Sequence, residues 1–324
     1  MISTREETLL NTNRVLILLS TYNGDEYIRE QLSSLLLQQD VDAHILVRDD
    51  GSTDSTLSIL KEFAVLYPAK LSYWIDSNLG AKKSFFALIL RANEYIEQYD
   101  YFSFCDQDDV WKENKLSSAI RLLQNEDPSK PLLYCSSTQM VDVELNKLSV
   151  WPSTPRKSLT INNATVENVV VGCTSIINQT ALKLLASNPP TNYDRIIMHD
   201  WWSYLCISTF GKIIFDPEPK ILYRQHGNNA LGGQTDNWLN KWKKRFHRFF
   251  NGQNHFIISN QAREFELSFH HKLDQKTQTE LKDFIKSLSS PLFSRFLYTF
   301  RMPLYRQSSI DQFILKLLII LGKV

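Results

Sequence analysis

The chain lacks the glycine-rich loops that mark two common nucleotide-binding folds. Only Gly24 closely follows the first apolar run, so the G-x-G-x-x-G dinucleotide fingerprint and the phosphate loop ending in Gly-Lys-Ser/Thr are both absent, which counts against NAD enzymes and ATPases. Cysteine is sparse. Cys105, Cys135, Cys173 and Cys206 lie far apart in apolar runs without zinc spacing, and read as reduced core thiols of a cytosolic protein. No uninterrupted apolar segment approaches the roughly 20 residues that span a bilayer. Residues 1–13 read as a polar leader, because Met1 to Glu7 contains no apolar core of a signal peptide. Neither sign of charge is in excess: Lys+Arg 36 against Asp+Glu 35 leaves a net +1, which argues against a general nucleic-acid binder. A hydrophobic content of 43% and a charged content of 22% are ordinary for a globular protein, and 324 residues suffice for one large domain with an appendage, or two domains.

What is present is an alternation of strands and helices. Arg14 to Leu19 is a continuous apolar run ending in Ser20-Thr21-Tyr22-Asn23-Gly24, which fits a strand buried on both faces and a turn. Ile28, Leu32, Leu35 and Leu36 follow at helical spacing. Further strands are expected at His44 to Arg48, Leu71 to Ile75 and Tyr101 to Cys105, with helical stripes after each and a helix over 112–124. Repeated βα units of this length predict a doubly wound, mostly parallel α/β sheet. Beyond Asp127-Pro128-Ser129 the rhythm changes. Strands are expected at Leu132 to Cys135, Val169 to Thr174, Lys212 to Phe215 and Ile221 to Tyr223, and helices near Thr180 to Ala186 and Asp200 to Thr209. The loop Gly227 to Asp236 reads as mobile, and the chain from Trp238 onward as helical.

The densest chemistry is Asp106-Gln107-Asp108-Asp109, directly after an apolar strand. Three acids in four residues repel one another unless a cation or several hydrogen-bond donors sit among them, and a strand end of this kind is where ligands bind in open α/β sheets. The cluster therefore reads as the seat of a divalent metal holding a nucleotide diphosphate. A helix-loop-helix calcium loop is the alternative, but Val110, Trp111 and Ser117 stand where that loop needs an acid, glycine and glutamate. Asp109 is expected to be the N-cap of the next helix, leaving Asp106 and Asp108 for the ligand. Asp49-Asp50-Gly51-Ser52 ends the second strand and suits either a nucleoside contact or an Asx turn capping a helix. Met198-His199-Asp200-Trp201-Trp202 offers a carboxylate beside paired indoles, which suits a sugar-binding wall or a plain N-cap. Tyr223-Arg224-Gln225-His226-Gly227 joins a cation for phosphate oxygens to a possible metal ligand, or forms a solvated surface turn.

Taken in order, Ser20 to Gly24, Asp49 to Asp54, Asn78-Leu79-Gly80, Cys105 to Trp111, His199-Asp200 and Tyr223 to His226 resemble the inverting family-2 glycosyltransferases of the GT-A fold, especially bacterial rhamnosyltransferase-like members of polysaccharide assembly. The resemblance implies a nucleotide-sugar-binding half over 14–130, an acceptor-binding and catalytic-base half over 131–236, and a helical extension over 237–324. It implies that Thr21, Tyr22, Asn23, Asp50, Asn78, Gly80, Asp106 and Arg224 hold the nucleotide. Asp106, Asp108 and His226 would hold Mg²⁺ or Mn²⁺, Asp200 would be the general base, and His199, Trp201 and Trp202 would meet the acceptor. Most other members carry Glu-Asp where this chain has His199-Asp200. The donor expected first is dTDP-rhamnose, with UDP-hexoses behind it.

The stretch Trp238 to Phe250 interleaves aromatic and basic residues without an acid, and Ile310 to Val324 carries a short apolar run broken by Lys316. Both fit a peripheral contact with an anionic membrane, and equally fit packing on the catalytic domain or a second copy. A cytoplasmic enzyme at the inner face of the cell membrane, acting on a lipid-linked glycan, is the resulting expectation. A nucleotidyltransferase and a non-catalytic carbohydrate-binding module are the competing readings.

Overall fold

The computed structural model describes residues 12–226 and 256–324; residues 1–11 of the leader, the loop 227–236 and the stretch 238–250 lie outside the described residues. The described chain forms two compact units, one built from 12–154, 169–187 and 199–226, the other from 155–168, 188–198 and 256–324.

The first unit is organised by β1 (Arg14–Thr21), whose residues from Val15 to Leu19 are all buried. A strand covered on both faces needs no polar alternation, which is why Val-Leu-Ile-Leu-Leu is tolerated there. It pairs in parallel with β2 (Asp42–Asp49) on one side and β4 (Tyr101–Cys105) on the other, and β2 pairs with β3 (Leu71–Ile75). The intervening helices are α1 (Ile28–Leu36), α2 (Thr56–Leu66) and α3 (Gly80–Asn93), each turning its apolar stripe inward. After the two-residue β5 (Val110–Trp111) come α4 (Lys115–Leu123), β6 (Leu132–Ser136), β7 (Thr138–Val141) and β8 (Lys147–Trp151). Following α5 (Ile161–Ala164), which belongs to the second unit, the chain returns as β9 (Ile176–Asn178), α6 (Gln179–Ser187), α7 (His199–Phe210), β10 (Lys212–Asp216) and β11 (Ile221–Arg224).

Seven strands form the main sheet in the order β10-β6-β9-β4-β1-β2-β3, all parallel except β9, which runs against β4 and β6. The mostly parallel α/β reading therefore holds. The strand expected over Val169 to Thr174 does not form. Val169 to Val171 are buried without a ladder, Gly172 to Thr174 make a 3₁₀ turn in which Thr174 N donates to Val171 O at 2.9 Å, and pairing begins only at Ile176. Burial alone made that run look like a strand.

A second sheet, β5-β11-β7-β8, was not anticipated. Its β5–β11 pairing, Ile221 opposite Trp111 and Leu222 opposite Val110, carries the chain after residue 222 back beside the acidic loop. The second unit contains α8 (Ile257–Phe269), α9 (Gln275–Leu288), α10 (Leu292–Arg301) and α11 (Ser309–Leu321). Fully buried Glu264 of α8 accepts from the backbone N–H groups of Thr191 and Asn192, at 2.5 and 2.9 Å, and so ties the segment 188–198 to the helices. No helix among the described residues is long and apolar enough to cross a membrane.

Gly211, between α7 and β10, has no room for a side chain: an added Cβ would stand 1.8 Å from Pro131 O. The variant Gly211→Ala must shift backbone at the β10–β6 edge, and is expected to lose about 1–3 kcal/mol, read as a lower urea midpoint at unchanged slope.

Candidate active site

The chain leaves β1 toward β2 and β3, then returns on the other side of β1 as β4, so the sheet has its topological switch point between these two strands. Loops at the carboxyl ends of strands flanking such a point diverge and leave a crevice for a ligand. Thr21 ends β1, Asp49 ends β2 and Cys105 ends β4.

The loops after β1 and β2 are laced together. Asn23, in the left-handed region at φ 46°, donates its N–H to Ser52 Oγ at 2.9 Å and accepts from Thr53 N at 2.8 Å. Asp49 forms the Asx turn, accepting from Ser52 N at 2.8 Å, while Asp54 accepts from Thr56 N at 3.0 Å. Asp50 accepts from Leu79 N and Gly80 N, each at 2.8 Å, at the start of α3, and from the buried guanidinium of Arg48. Its own N–H donates to Thr21 O at 2.8 Å. Asn78 Oδ1 also accepts from Gly80 N, at 3.1 Å, where Gly80 takes a positive φ of 77°. Thr21, Asp50, Asn78 and Gly80 are thus brought together, and Asn23 joins them through Ser52. The Asp50 carboxylate has three of its roughly four acceptor positions committed to the fold.

Asp106 to Asp109 lies across from these loops. Gln107 bridges the two: its Oε1 accepts from Thr21 Oγ1 and Tyr22 N, both at 2.8 Å, and its Nε2 donates to Tyr22 O at 3.2 Å. Gly24 allows this approach, since a Cβ there would stand 2.5 Å from Gln107 Oε1. Asp109 is not the expected N-cap. Helix α4 starts six residues later, at Lys115 after Asn114, because Val110 and Trp111 are drawn into the β5 pairing. Asp109 instead points inward, nearly inaccessible; its Oδ1 accepts from Arg224 N at 3.2 Å and its Oδ2 has no hydrogen-bond partner. Donor atoms of Asp106, Asp109 and Cys173 lie within 4.8 Å of one another. Burial, then the charges of Asp108 and Asp200, push the Asp106 carboxyl up to about 7, and burial raises Asp109 and Cys173 as well. Beneath them Lys115 is fully buried, its ammonium 3.1 Å from the centre of the Trp111 ring and 3.0 Å from Ser103 Oγ, with burial lowering its pKa to about 7.

The three expected metal donors divide into two groups. Asp108 Oδ2 pairs with His226 Nε2 at 2.8 Å, and the His226 ring stacks on Tyr27 with centroids 5.0 Å apart. Asp106 belongs with Asp109 and Cys173. A hard Mg²⁺ or Mn²⁺ ion prefers carboxylate oxygens to a thiol that keeps its proton, so within this group the carboxylates of Asp106 and Asp109 suit such an ion and Cys173 does not. Arg224 departs from its expected phosphate role. Its guanidinium is buried over the Tyr27 ring at 4.7 Å and donates to Glu30, to Val143 O and, at 3.0 Å, to Asp108 O. It braces the acidic loop, with three of its five N–H donors engaged within the protein.

Asp200 stands in the first turn of α7, accepting from Trp201 N at 2.7 Å. Its Cβ is 3.4 Å from where a Gly172 Cβ would lie, next to Cys173, and its charge raises the Asp106 carboxyl. Asp200 and Asp108 therefore both act on Asp106. Two expected acceptor residues are corrected. Trp202 is 0% exposed and His199 4%, because positions 199 and 202 share the core face of α7. The His199 ring stacks on Phe85 at 3.8 Å and meets the edge of Phe104 at 5.1 Å, and neither ring nitrogen has a hydrogen-bond partner. Only Trp201 of the three is partly exposed. Gln107, Lys115, Cys173 and Tyr27 were not assigned roles from sequence. For Lys115 a signal existed, since it continues the stripe of Leu116, Ala119, Ile120 and Leu123.

Carboxylates at the switch point of a mostly parallel sheet, faced by one on a later helix, define the GT-A class of nucleotide-sugar fold. Residues 16–185, more than half of the chain, match the model of Glycosyl transferase family 2. A dTDP-rhamnosyl transferase, RfbG of Shigella flexneri, is 36% identical over 228 residues, covering 66% of this chain and 73% of that protein. Among solved structures, S. aureus TarS 1-349 in complex with UDP-GlcNAc matches with a TM-score of 0.57 at 16% identity, over 90% of this chain and 82% of the other. A longer TarS chain matches with a TM-score of 0.55 at 17% identity, and there the present chain spans only 47% of its length. At such identities the likeness concerns the fold alone. The chain belongs to glycosyl transferase family 2 and is a glycosyltransferase of the inverting type, which sets aside the nucleotidyltransferase and non-catalytic readings.

Burial holds the His199 pKa at about 3 against 6.5 in the open chain. A depressed histidine contributes stability that is complete above the unfolded pKa and lost as pH falls through 6.5 toward the folded value. Relative to His199→Phe, which keeps the ring stack, the native protein should lose about 2 kcal/mol of unfolding free energy between pH 7.5 and pH 5, read by urea titration at each pH. Parallel pH profiles for the two proteins would show that His199 is not held neutral.

Proposed function

We propose that this glycosyltransferase moves rhamnose from a dTDP-linked donor to a growing, lipid-linked cell-surface glycan, with a divalent ion assisting departure of the diphosphate. The observation that carries the reading is that Asp106 is grouped with Asp109 and Cys173 at the end of β4 while Asp200 packs against the neighbouring Gly172, which gathers the acidic loop and a helix carboxylate at one site. Residues 14–130 would bind the donor and 131–236 the acceptor. Thr21, Tyr22, Asn23, Asn78, Gly80 and the remaining acceptor position of Asp50 would frame the nucleoside. Asp106 and Asp108 would hold Mg²⁺ or Mn²⁺, with His226 and Arg224 fixing Asp108 and its loop from behind. Such an ion, when bound, neutralises charge that develops on the leaving diphosphate.

The protein's own groups supply the rest. Asp200 takes the proton from the acceptor hydroxyl as that oxygen attacks the anomeric carbon, and the bond from the anomeric carbon to the diphosphate oxygen breaks in the same displacement. One displacement inverts the configuration. Trp201, partly exposed beside the base, offers an indole face to an acceptor sugar ring. Orientation of both sugars in the crevice supplies the remaining acceleration.

The rhamnose assignment is supported by the name of the 36% identical relative, dTDP-rhamnosyl transferase. A UDP-hexose donor is the second reading, supported by the UDP-GlcNAc complex of TarS, which shares the fold. Action at the cytoplasmic face of the membrane follows from a lipid-linked acceptor. A donor-hydrolysis panel of dTDP-rhamnose, UDP-glucose and UDP-GlcNAc should give turnover first with dTDP-rhamnose; exclusive turnover of a UDP-sugar would replace it with the second reading. With the preferred donor, Asp200→Asn should lower transfer by roughly 10²–10⁴-fold and leave nucleoside-diphosphate affinity within about twofold. Retained transfer would remove Asp200 from the base role.

A further inference from the structure

Helices α10 and α11 reverse the usual arrangement of an amphipathic helix. On α10 the buried residues are Tyr298 and Thr299, while Leu292, Phe293, Phe296, Leu297 and Phe300 face outward. On α11 Leu315 and Ile319 are buried, and Ile310, Phe313, Leu317 and Leu321 face outward at helical spacing. Phe293, Phe300 and Phe313 are 68%, 71% and 62% exposed. The two helices pack on each other within the second unit. Apolar exposure on this scale marks a surface that meets something.

Charge selects the occupant. From residue 292 to the last residue the sequence carries Arg295, Arg301, Arg306, Lys316 and Lys323 against the single acid Asp311. Lys316 lies 5.8 Å from the centre of the Phe300 ring, so basic charge sits within the apolar face as well as at its margin, where Arg301 and Lys323 are exposed. A two-fold contact between copies would set these cations against their own equivalents. Anionic lipid headgroups would neutralise them while the phenylalanines enter the acyl boundary, the division of labour of interfacial helices.

We propose that the paired outward faces of α10 and α11 form a docking surface for an anionic lipid bilayer. The surface gives a physical route to a lipid-linked acceptor, but its test needs neither donor nor acceptor, so it fails or stands separately from the transfer reaction.

The experiment is flotation of the full chain with vesicles of phosphatidylglycerol and phosphatidylethanolamine, compared with phosphatidylcholine alone. Native protein should partition at least roughly tenfold more strongly to the anionic vesicles, and Phe293→Ser with Phe300→Ser and Phe313→Ser should lower that partition roughly tenfold or more at an unchanged melting temperature. Because those side chains are already in water, the variant should fold. Equal partition to neutral vesicles, or undiminished flotation of the triple variant, would overturn the proposal. So would loss of flotation on replacing Lys241, Lys243, Lys244 and Arg245 by Gln together with no effect of the triple variant. Sedimentation without vesicles adds the remaining outcome: a native dimer that the triple variant turns into monomers, with flotation intact, would assign the face to a second copy instead.

Discussion

Mutual repulsion among Asp106, Asp108, Asp109 and Asp200 is the constraint around which the catalytic unit is arranged. Four carboxylates gathered beside the end of β4 cannot all stay ionised in a largely buried site without compensation, and the protein provides it unevenly. Asp108 has His226 at 2.8 Å, Asp109 has a backbone N–H and the nearby charge of Lys115, and Asp106 has burial, two like charges and only a thiol to oppose them. The least compensated member, Asp106, is raised by the charges of both Asp108 and the proposed base Asp200. A cation with its diphosphate is the partner that would relieve that imbalance, which ties ligand binding to the electrostatics of the protein without ligand.

Two buried arginines brace the loops at the site. Arg48, fully buried between β2 and α3, bonds Asp50, Ser84 and Ser77 O, and so fixes the α3 N-terminus against the loop of the expected nucleoside residues. Arg224 does the same for the acidic loop through Glu30, Val143 O and Asp108 O. Removing one partner of such a buried pair costs several times what an exposed ion pair contributes, because the other charge is stranded. Gln107 completes the frame by fastening the acidic loop to Thr21 and Tyr22. Catalytic geometry here depends on residues that never need to touch the substrate.

How much of this the sequence discloses follows from the range of each interaction. Strands β1 to β4 are legible because continuous apolar runs ending in turn residues have few other uses. The run at Val169 misleads because burial without pairing has the same composition, and β5, β7 and β8 escape notice because they are short or exposed. Asp106, Asp108 and Asp200 announce themselves by type and position. Arg224 also announces itself, but not that Glu30, 194 positions away, would take its guanidinium. His199 and Trp202 look like a sugar-facing wall until the rotation of α7 is known, and a segment rich in aromatics on every side carries no periodicity to reveal that rotation.

The second unit adds a different kind of information, an apolar and basic face whose composition is visible in sequence but whose outward orientation is not. The claim on which the account turns remains the one about charge: that the acidic loop binds a nucleoside diphosphate through a divalent ion. Calorimetric titration of dTDP and UDP into the full chain, with Mn²⁺ and then with excess chelator, measures this directly. The account predicts that the preferred diphosphate binds at least roughly tenfold more tightly with the ion present and that Asp108→Asn removes the difference. Equal affinity in chelator and in Mn²⁺ would contradict it.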